Sequence, residues 1–292
     1  MTGTFDPGSI AWGHIVTASK VGGILGVSPW TSPYQVWREM HGDVARDTTT
    51  SDVQRRGQIL EPAVLTWWLD QHPEVDDVDT QRLVWINAPD QWGAATLDAL
   101  ASTPDGDLIV EVKTASRWDE WGEPGTDQVP AHYYAQIVWQ LACVPWVTEA
   151  RVAVLGPFLD FREYAIARDD ALVADVVKRC REFYDSLADD TPPPLDDSVA
   201  TLATLRAEHP EIARGTSKDI EAETARAWLV AKTDLAAADR HERGLRSLVL
   251  RAMGDAQYLT AAGVRVARRQ ASRNTVALVA TATADELPTE EA

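Results

Sequence analysis

Cysteine and long apolar runs are scarce in this sequence of 292 residues. Its two cysteines, Cys143 and Cys180, are too few for a disulfide framework, a zinc knuckle or an iron–sulfur cluster, and we expect both to be buried thiols. The sequence lacks the run of about 18 apolar residues that a membrane span requires, and its start lacks the basic and then apolar pattern of a secretory signal. We therefore expect a cytoplasmic protein with no membrane contact.

Basic residues are also few. Lys and Arg number 27 against 45 Asp and Glu, which gives a net charge of -18. A chain with this balance repels polyanions unless cations intervene, so the charge alone argues against a nucleic-acid partner. The excess is concentrated at the start of the chain, with 14 basic and 30 acidic residues up to residue 190 and 13 and 15 after it. Because 45% of the residues are apolar, wholesale disorder is excluded.

Tryptophan and proline divide the chain into parts. Eleven of the 12 tryptophans lie at or before Trp146, so we expect the aromatic core in the N-terminal half. The run Pro192-Pro193-Pro194 prevents helix and ladder hydrogen bonds and sets an extended spacer. Beyond it, apolar residues at helical spacing indicate a long helix that ends at Gly254, followed by a hairpin. We predict a first domain over 1–190, a linker over 191–218, a helix and hairpin over 219–272 and a disordered tail over 273–292.

Hydrophobic periodicity predicts alternating helices and strands in the first domain. Helices are expected over 17–25, 33–41, 59–69, 133–142 and 170–187. The third of these would begin after Gly57 and carry Pro62 in its first turn. Strands are expected over 82–86, 93–100, 108–113, 150–155 and 161–166. This order indicates an α/β fold with a mixed central sheet flanked by helices.

The most informative residues lie on two of these strands, joined by a turn at Pro104-Asp105-Gly106. Side chains alternate along a strand, so Glu111 and Lys113 face one side and Val112 faces the other. Asp98 lies on the neighbouring strand. Two carboxylates on adjacent strands are placed to share a divalent cation, and charged residues in an otherwise apolar strand need such a reason, because burying an unpaired charge is costly.

Parts of this pattern are also compatible with three different kinds of structure. The Glu-x-Lys pair is typical of an edge strand whose charged side chains face solvent. An acidic, aromatic-rich chain is compatible with a DNA mimic, which would disperse its carboxylates over a surface and need no metal. A single-strand annealing protein would have a basic groove and no Glu-x-Lys pair within a strand.

Five blocks of sequence, in order over residues 10–187, resemble the lambda-exonuclease-like, or YqaJ-type viral recombinase, branch of the PD-(D/E)XK nuclease superfamily. The central block is Asp98 followed by Glu111 and Lys113. The other four are an opening helix with its serine-bearing loop, a helix start, the segment after the lysine and a Tyr-x-Ala-Gln helix, at residues 17–30, 56–62, 113–118 and 133–137. The resemblance implies a restriction-endonuclease-like core, here with the C-terminal helix and hairpin added.

The resemblance also implies roles for single residues. Asp98, Glu111 and the main-chain carbonyl of Val112 would bind Mg²⁺, with Mn²⁺ as a substitute, and Glu61 would be a further acidic ligand. Lys113 would position the attacking water, and Gln136 would lie within reach of it. The chain offers no set of His and Cys ligands, so its oxygen ligands suit a hard cation. The DNA-binding residues implied by the resemblance are Ser19, Ser28, Arg55, Arg56, Arg117 and Tyr133.

Two departures from the family pattern bear on these roles. The family usually has Pro-Asp-Gly at its first metal aspartate, whereas this strand reads Leu97-Asp98-Ala99 and the literal triplet contains Asp105. We favour Asp98, because Asp105 leaves too few residues for a return along a partner strand. Trp12 stands where some relatives have an arginine that reads a terminal phosphate. A preference for 5′-phosphorylated ends therefore requires that Arg55, Arg56 or Arg117 takes the place of that arginine.

The resemblance implies a metal-dependent exodeoxyribonuclease that acts on double-stranded DNA ends and leaves single-stranded tails for phage-type recombination. It further implies a ring-shaped homotrimer and a single-strand annealing protein as partner. The alternatives are a PD-(D/E)XK endonuclease, a RecB-like or Cas4-like nuclease without an iron–sulfur cluster, and a non-catalytic DNA mimic. Given the acidity of the chain, we expect DNA binding to be weak without a divalent cation and sensitive to salt.

Overall fold

The computed structural model of the protein describes residues 9–45, 49–86, 90–272 and 275–288. The chain divides into two compact units, Met1–Ile212 and Ala213–Ala292. Within the described ranges, no helix combines the length and the hydropathy that crossing a membrane requires.

The first unit is a mixed sheet flanked by helices, which confirms the predicted fold class. Its helices are α1 (Ile10–Gly13), α2 (Ala18–Ile24), α3 (Pro33–His41), α4 (Asp52–Gln71), α5 (Ala131–Cys143), α6 (Asp170–Ala188) and α7 (Val199–Glu208). Its strands are β1 (Val16–Thr17), β2 (Asp77–Trp85), β3 (Gly93–Thr103), β4 (Gly106–Thr114), β5 (Glu149–Leu155) and β6 (Phe161–Ala167). The strand order is β1-β3-β4-β5-β6, with β2 also paired to β3. The β1–β3 and β4–β5 pairs are parallel, and the other pairs are antiparallel.

Apolar side chains cover both faces of this sheet. On one face α2, α3, α5 and α6 contribute to a core that contains the fully buried Trp37 and Trp139. Trp139 donates from Nε1 to the carbonyl of Ala94 at 3.0 Å, so its polar edge is satisfied. A Cβ at Gly93 would lie 2.5 Å from the Trp139 ring, so α5 approaches the sheet this closely because that position has no side chain. On the other face α4 packs through residues that include Trp68.

Helix α4 is longer than predicted at its N-terminal end. Ser51 accepts a hydrogen bond from the backbone of Gln54, whose side chain accepts one from the backbone N–H of Ser51, and this capping box starts the helix at Asp52. Gly57 and Pro62, predicted at the helix start, therefore lie inside the helix. The prediction that the helix begins after Gly57 was wrong, because the capping signal lies six residues upstream of Gly57.

The segment predicted as a linker over 191–218 contains a helix, so this prediction was wrong for α7. Its last residue, Glu208, is a nearly buried carboxylate that accepts a hydrogen bond from the Tyr34 hydroxyl at 3.0 Å and one from Arg38 Nε at 2.6 Å. Both partners lie on α3. A buried carboxylate with two donors contributes more than an exposed ion pair, so α7 is a packed part of the first unit.

The second unit consists of the long helix α8 (Ala222–Met253) and a three-stranded antiparallel sheet of β7 (Tyr258–Ala261), β8 (Val264–Ser272) and β9 (Thr275–Ala280). The long helix is confirmed, and the predicted hairpin corresponds to β7 and β8. The predicted disordered tail was wrong for β9, which pairs with β8, and for the short 3-10 helix Ala284–Glu286. The rest of that tail prediction, at 273–274 and 289–292, lies outside the described residues.

Candidate active site

The regular pairing of β3 with its neighbours is interrupted at Asp98. Pairing of β3 with β4 ends at Ala99 and Val110, and Asp98 Oδ2 accepts a hydrogen bond at 2.8 Å from the backbone N–H of Val112. On the other side of β3, Gln81 is the residue opposite Asp98 and adopts a left-handed conformation with φ of 55°. The left-handed conformation costs a residue with a Cβ about 1–2 kcal/mol. The sheet therefore opens at this point and presents the carboxylate of Asp98.

Glu111 lies next to this opening and is almost fully buried, with 1% of its surface exposed. Its Oε1 accepts from Lys113 Nζ and from Gln136 Nε2, the latter at 2.5 Å, and its Oε2 accepts from Gln140 Nε2 at 2.6 Å. Both glutamines project from α5, so Glu111 faces the side of the sheet on which α5 lies, and Lys113 lies on that side with it. Three donors on one carboxylate fix its position and offset its burial.

Glu61 reaches the same region from α4. Its Oε1 accepts a hydrogen bond from Gln81 Nε2 at 2.6 Å. The pKa of Glu61 is raised because burial disfavours its charged form and because Glu111 is negatively charged, although Lys113 and Gln81 act in the opposite direction. Glu111 and Lys113 are therefore close enough to Glu61 to influence its ionisation.

This cluster holds more buried negative charge than its lysine neutralises. Burial, and after it the charge of Glu111, raises the pKa of Asp98 well above its usual range. Burial by itself would lower the pKa of Lys113, but Glu111 and Asp98 outweigh it and raise that pKa to about 12. Lys113 is therefore a cation throughout the neutral pH range. It is one cation among the carboxyl groups of Glu61, Asp98 and Glu111.

The donor chemistry of the cluster fits a hard divalent cation. Carboxylates buried in excess of their partners favour a metal ion, and carboxylate and carbonyl oxygens are what Mg²⁺ prefers. Asp98, Glu111 and the carbonyl of Val112 are the residues that would hold it. Among the described residues, however, no group of three or more His, Cys, Asp and Glu side chains is arranged to hold a metal. Glu61 in particular is engaged by the hydrogen bond from Gln81.

Asp105, the alternative to Asp98 in the sequence, lies in the exposed turn between β3 and β4. Its backbone N–H donates to Thr103 Oγ1 at 3.2 Å, which is a turn interaction. The structure therefore places Asp98, and not Asp105, beside Glu111.

A cleft of about 590 Å³ adjoins the cluster and brings together three of the predicted DNA-binding residues, Arg56, Arg117 and Tyr133. The ring of Tyr133 lies 5.0 Å from Lys113 Nζ and joins the cleft to the cluster. Arg117 forms an exposed ion pair of 3.4 Å with Asp119, a contact that contributes little. Arg56 is an exposed side chain of α4.

The other three predicted DNA-binding residues do not line this cleft. Ser19 is exposed in the first turn of α2, and its Oγ lies 3.2 Å from Thr17 Oγ1. Ser28 accepts hydrogen bonds from the backbone of Trp30 and Thr31, so its hydroxyl shapes the loop between α2 and α3. Arg55 is exposed on α4.

Comparison with known proteins finds a family match over the segment that carries this site. Residues 11–151 match the profile of the YqaJ-like viral recombinase domain family. Just under half of the chain is therefore similar to a YqaJ-like viral recombinase domain. All the cluster residues described above, from Glu61 to Gln140, lie inside the matched segment.

A curated protein is similar to the chain over a longer stretch than the family model. The uncharacterized protein YqaJ of Bacillus subtilis (strain 168) is 24% identical over 242 residues, which are 80% of this chain and 74% of that protein. Among solved structures, an alkaline exonuclease (LHK-Exo) from Laribacter hongkongensis is 20% identical with a TM-score of 0.49, over 62% of this chain and 91% of that one. A phage-related exonuclease from Haemophilus somnus 129PT is 14% identical with a TM-score of 0.41, over 60% of this chain and 96% of that one.

Two residues of the candidate site were not predicted from the sequence. Gln140 is fully buried against Glu111, and its spacing of four residues from Gln136 places both amides on one helix face. That spacing, in a helix that is otherwise apolar on this face, was a usable signal. Gln81 had no such signal, because its left-handed backbone arises from the opening of the sheet at Asp98.

Proposed function

We propose that the YqaJ-like domain is a divalent-metal-dependent exodeoxyribonuclease, which hydrolyses phosphodiester bonds at double-stranded DNA ends and leaves single-stranded tails. The observation that carries the proposal is the cluster of Asp98, Glu111 and Lys113, in which two carboxylates and one lysine meet where the sheet opens. Phosphodiester hydrolysis needs little covalent help from a protein but much positioning and charge neutralisation. The match to a viral recombinase domain family supports DNA as the substrate.

Each residue of the cluster has its own role in the proposed hydrolysis. When bound by Asp98, Glu111 and the Val112 carbonyl, Mg²⁺ or Mn²⁺ supplies a Lewis acid for the attack of water on phosphorus. Lys113, held against Glu111 and protonated, directs its ammonium group to the attacking water or to a phosphate oxygen. Gln136 and Gln140 keep Glu111 in one orientation.

Glu61 is the third carboxylate of the proposal. Its raised pKa and its bond to Gln81 place it at the border of the cluster. We expect Glu61 to be a further ligand that would bind the cation, with Gln81 holding its carboxylate in place.

Digestion of linear, nicked and covalently closed duplexes tests this function, with Mg²⁺, Mn²⁺ or EDTA, for the native chain and for Lys113→Ala. We expect nucleotide release from the linear duplex with either metal, none with EDTA and a large loss in the variant. Activity in EDTA, or full activity of Lys113→Ala, would contradict the proposal. Cutting of closed circles would instead favour the endonuclease alternative, and absence of any cleavage would favour the DNA mimic.

The biological setting is also part of the proposal. A cytoplasmic enzyme that leaves single-stranded tails suits phage-type recombination with a single-strand annealing protein as partner. The ring-shaped homotrimer is tested by light scattering of the purified chain, for which a mass near three times 32.1 kDa is expected. A monomeric mass at working concentrations would contradict the ring but not the reaction.

A further inference from the structure

One tryptophan at the rim of the cleft is exposed although the rest of its loop is well ordered by hydrogen bonds. Trp30 has 65% of its surface exposed and lines the cleft beside the candidate active site. Burying an indole ring removes a large apolar area from water and is strongly favourable, so a fixed and exposed one next to a site needs a reason.

The loop that carries Trp30 is held in place on both sides. Ser28 Oγ accepts from the backbone N–H groups of Trp30 and Thr31, each at 3.2 Å. The backbone N–H groups of Val27 and Ser28 donate to the carbonyl of Gly22 at 2.9 and 3.0 Å. The exposure of Trp30 is therefore a property of a built loop that begins at the end of α2.

A series of ring contacts connects Trp30 with the active-site lysine. The Trp30 ring meets His132 edge to face with centroids 4.7 Å apart, and the His132 ring contacts Tyr133 at 4.0 Å. The Tyr133 ring in turn lies 5.0 Å from Lys113 Nζ. Trp30 is thus placed at one end of an aromatic wall whose other end is the reacting centre.

The charged residues that line the cleft indicate which kind of ligand binds along the aromatic wall. Arg56, Arg117, Asp119 and Glu120 also line the cleft, and Asp119 pairs with Arg117. Arginine beside aromatic rings is the combination that binds single-stranded nucleic acid, in which phosphates meet the cations and bases stack on the rings. A purely apolar partner would leave the exposed Arg56 without a role.

We propose that Trp30 is a stacking platform for one nucleobase of the DNA strand whose phosphodiester lies at the Asp98, Glu111 and Lys113 cluster. The inference rests on the proposed nuclease function and specifies how that site holds an unpaired base near the scissile bond. Stacking on an aromatic ring accepts every base, since each has a π face. The platform therefore supplies affinity and position without sequence preference.

The test measures binding of end-labelled duplexes by fluorescence anisotropy, in a Lys113→Ala background that does not consume the DNA. One set of duplexes carries a single abasic site at successive positions from the end. We expect Trp30→Ala to weaken binding of the intact duplex about tenfold, and Trp30→Phe to retain most of the affinity. In the Lys113→Ala parent, an abasic site at the position whose base stacks on Trp30 should weaken binding by a similar factor. Once Trp30→Ala is added, an abasic site at that position should have no further effect.

Trp146→Ala is the matched control, since Trp146 is also exposed, at 56%, and follows the far end of α5. It should bind as the parent does. Unchanged binding by Trp30→Ala, or an equal loss by this variant on every abasic duplex, would overturn the platform while leaving the nuclease function intact. If the native chain neither binds nor cleaves DNA ends with any divalent metal, the proposed function itself fails and the platform with it.

Discussion

The backbone N–H of Val112 donates a hydrogen bond to Asp98 Oδ2 at 2.8 Å, just beyond the last paired residues of β3 and β4. In a continued ladder, a strand N–H would bond to the backbone of the neighbouring strand. Here the side-chain carboxylate of Asp98 accepts this hydrogen bond instead. The bond ends the backbone pairing of the two strands and fixes the position of the carboxylate. The same hydrogen bond brings Asp98 next to Glu111, the residue before Val112.

Gln140 is expected to position Glu111. In Gln140→Leu, one oxygen of a buried carboxylate loses its donor, which costs about 1–3 kcal/mol of unfolding free energy. Because Glu111 then changes orientation, nucleotide release should fall at least tenfold. Urea denaturation and the hydrolysis of linear duplex measure the two effects. Gln35→Leu is the control, since Gln35 also donates to a carboxylate, Glu39 at 2.8 Å, but on a less buried helix surface away from the site. Full activity of Gln140→Leu would contradict the positioning role.

A substitution at Gln81 distinguishes the effect of its backbone conformation from the function of its side chain. Glycine adopts positive φ without a steric cost, so Gln81→Gly should keep the unfolding free energy within about 1 kcal/mol of the parent or raise it. The variant also removes the donor to Glu61, so we expect the rate of hydrolysis to fall at the same time. A thermal melt and an activity assay on one preparation test this. A variant that is both destabilised and fully active would refute the account of this residue.

Two helical glycines should respond to alanine in opposite directions. A Cβ at Gly22 would lie 3.1 to 3.4 Å from His132, including its backbone, so Gly22→Ala should destabilise the fold by about 1–3 kcal/mol and displace the start of α5. At Gly57 the nearest atom is Thr114 Oγ1 at 3.9 Å, so Gly57→Ala should stabilise by about 0.5–1 kcal/mol. Denaturation of the two variants side by side tests the packing of α2 on α5. Equal effects would show that this contact is loose.

His72 should make the stability depend on pH. Burial alone would lower its pKa, but hydrogen bonds with Glu74 and Glu163, at 2.7 Å each, raise it above the usual value of about 6.5. When the pKa of a histidine is higher in the folded than in the unfolded state, its protonation stabilises the fold. This stabilisation is complete at a pH below the unfolded-state pKa and is lost as the pH rises through the folded-state pKa. The melting-temperature difference between the native chain and His72→Gln should therefore be larger at mildly acidic than at mildly alkaline pH. A difference that does not vary with pH would contradict the charged pair.

The sequence predicts the parts of the site that depend on strand periodicity. Alternation on β4 places Glu111 and Lys113 together and away from Val112, and the structure has this arrangement. The resemblance to the family adds Gln136, which contacts Glu111. Periodicity is reliable here because β4 stays paired with β5 through Lys113.

Other features could not be read from periodicity. The early start of α4 depends on a reciprocal capping pair at Ser51 and Gln54, which competes with the turn signal of Gly57. Helix α7 follows three prolines and is held by Glu208, whose partners lie about 170 residues earlier in the chain. The strained backbone of Gln81 results from the opening of a sheet and has no local sequence signature. In each case the structure is decided either by contacts between residues that are distant in sequence or by one local signal prevailing over another.

The central claim, that the opened sheet at Asp98 carries the reaction, is tested most directly by Asp98→Asn. The amide keeps an acceptor for the Val112 N–H but removes the negative charge, so the fold should persist while the site loses its ligand. We expect nucleotide release from a linear duplex in Mg²⁺ to fall by about 10²–10³-fold, with Asp105→Asn as active as the native chain. Native activity in Asp98→Asn, or loss of activity in Asp105→Asn alone, would contradict the account.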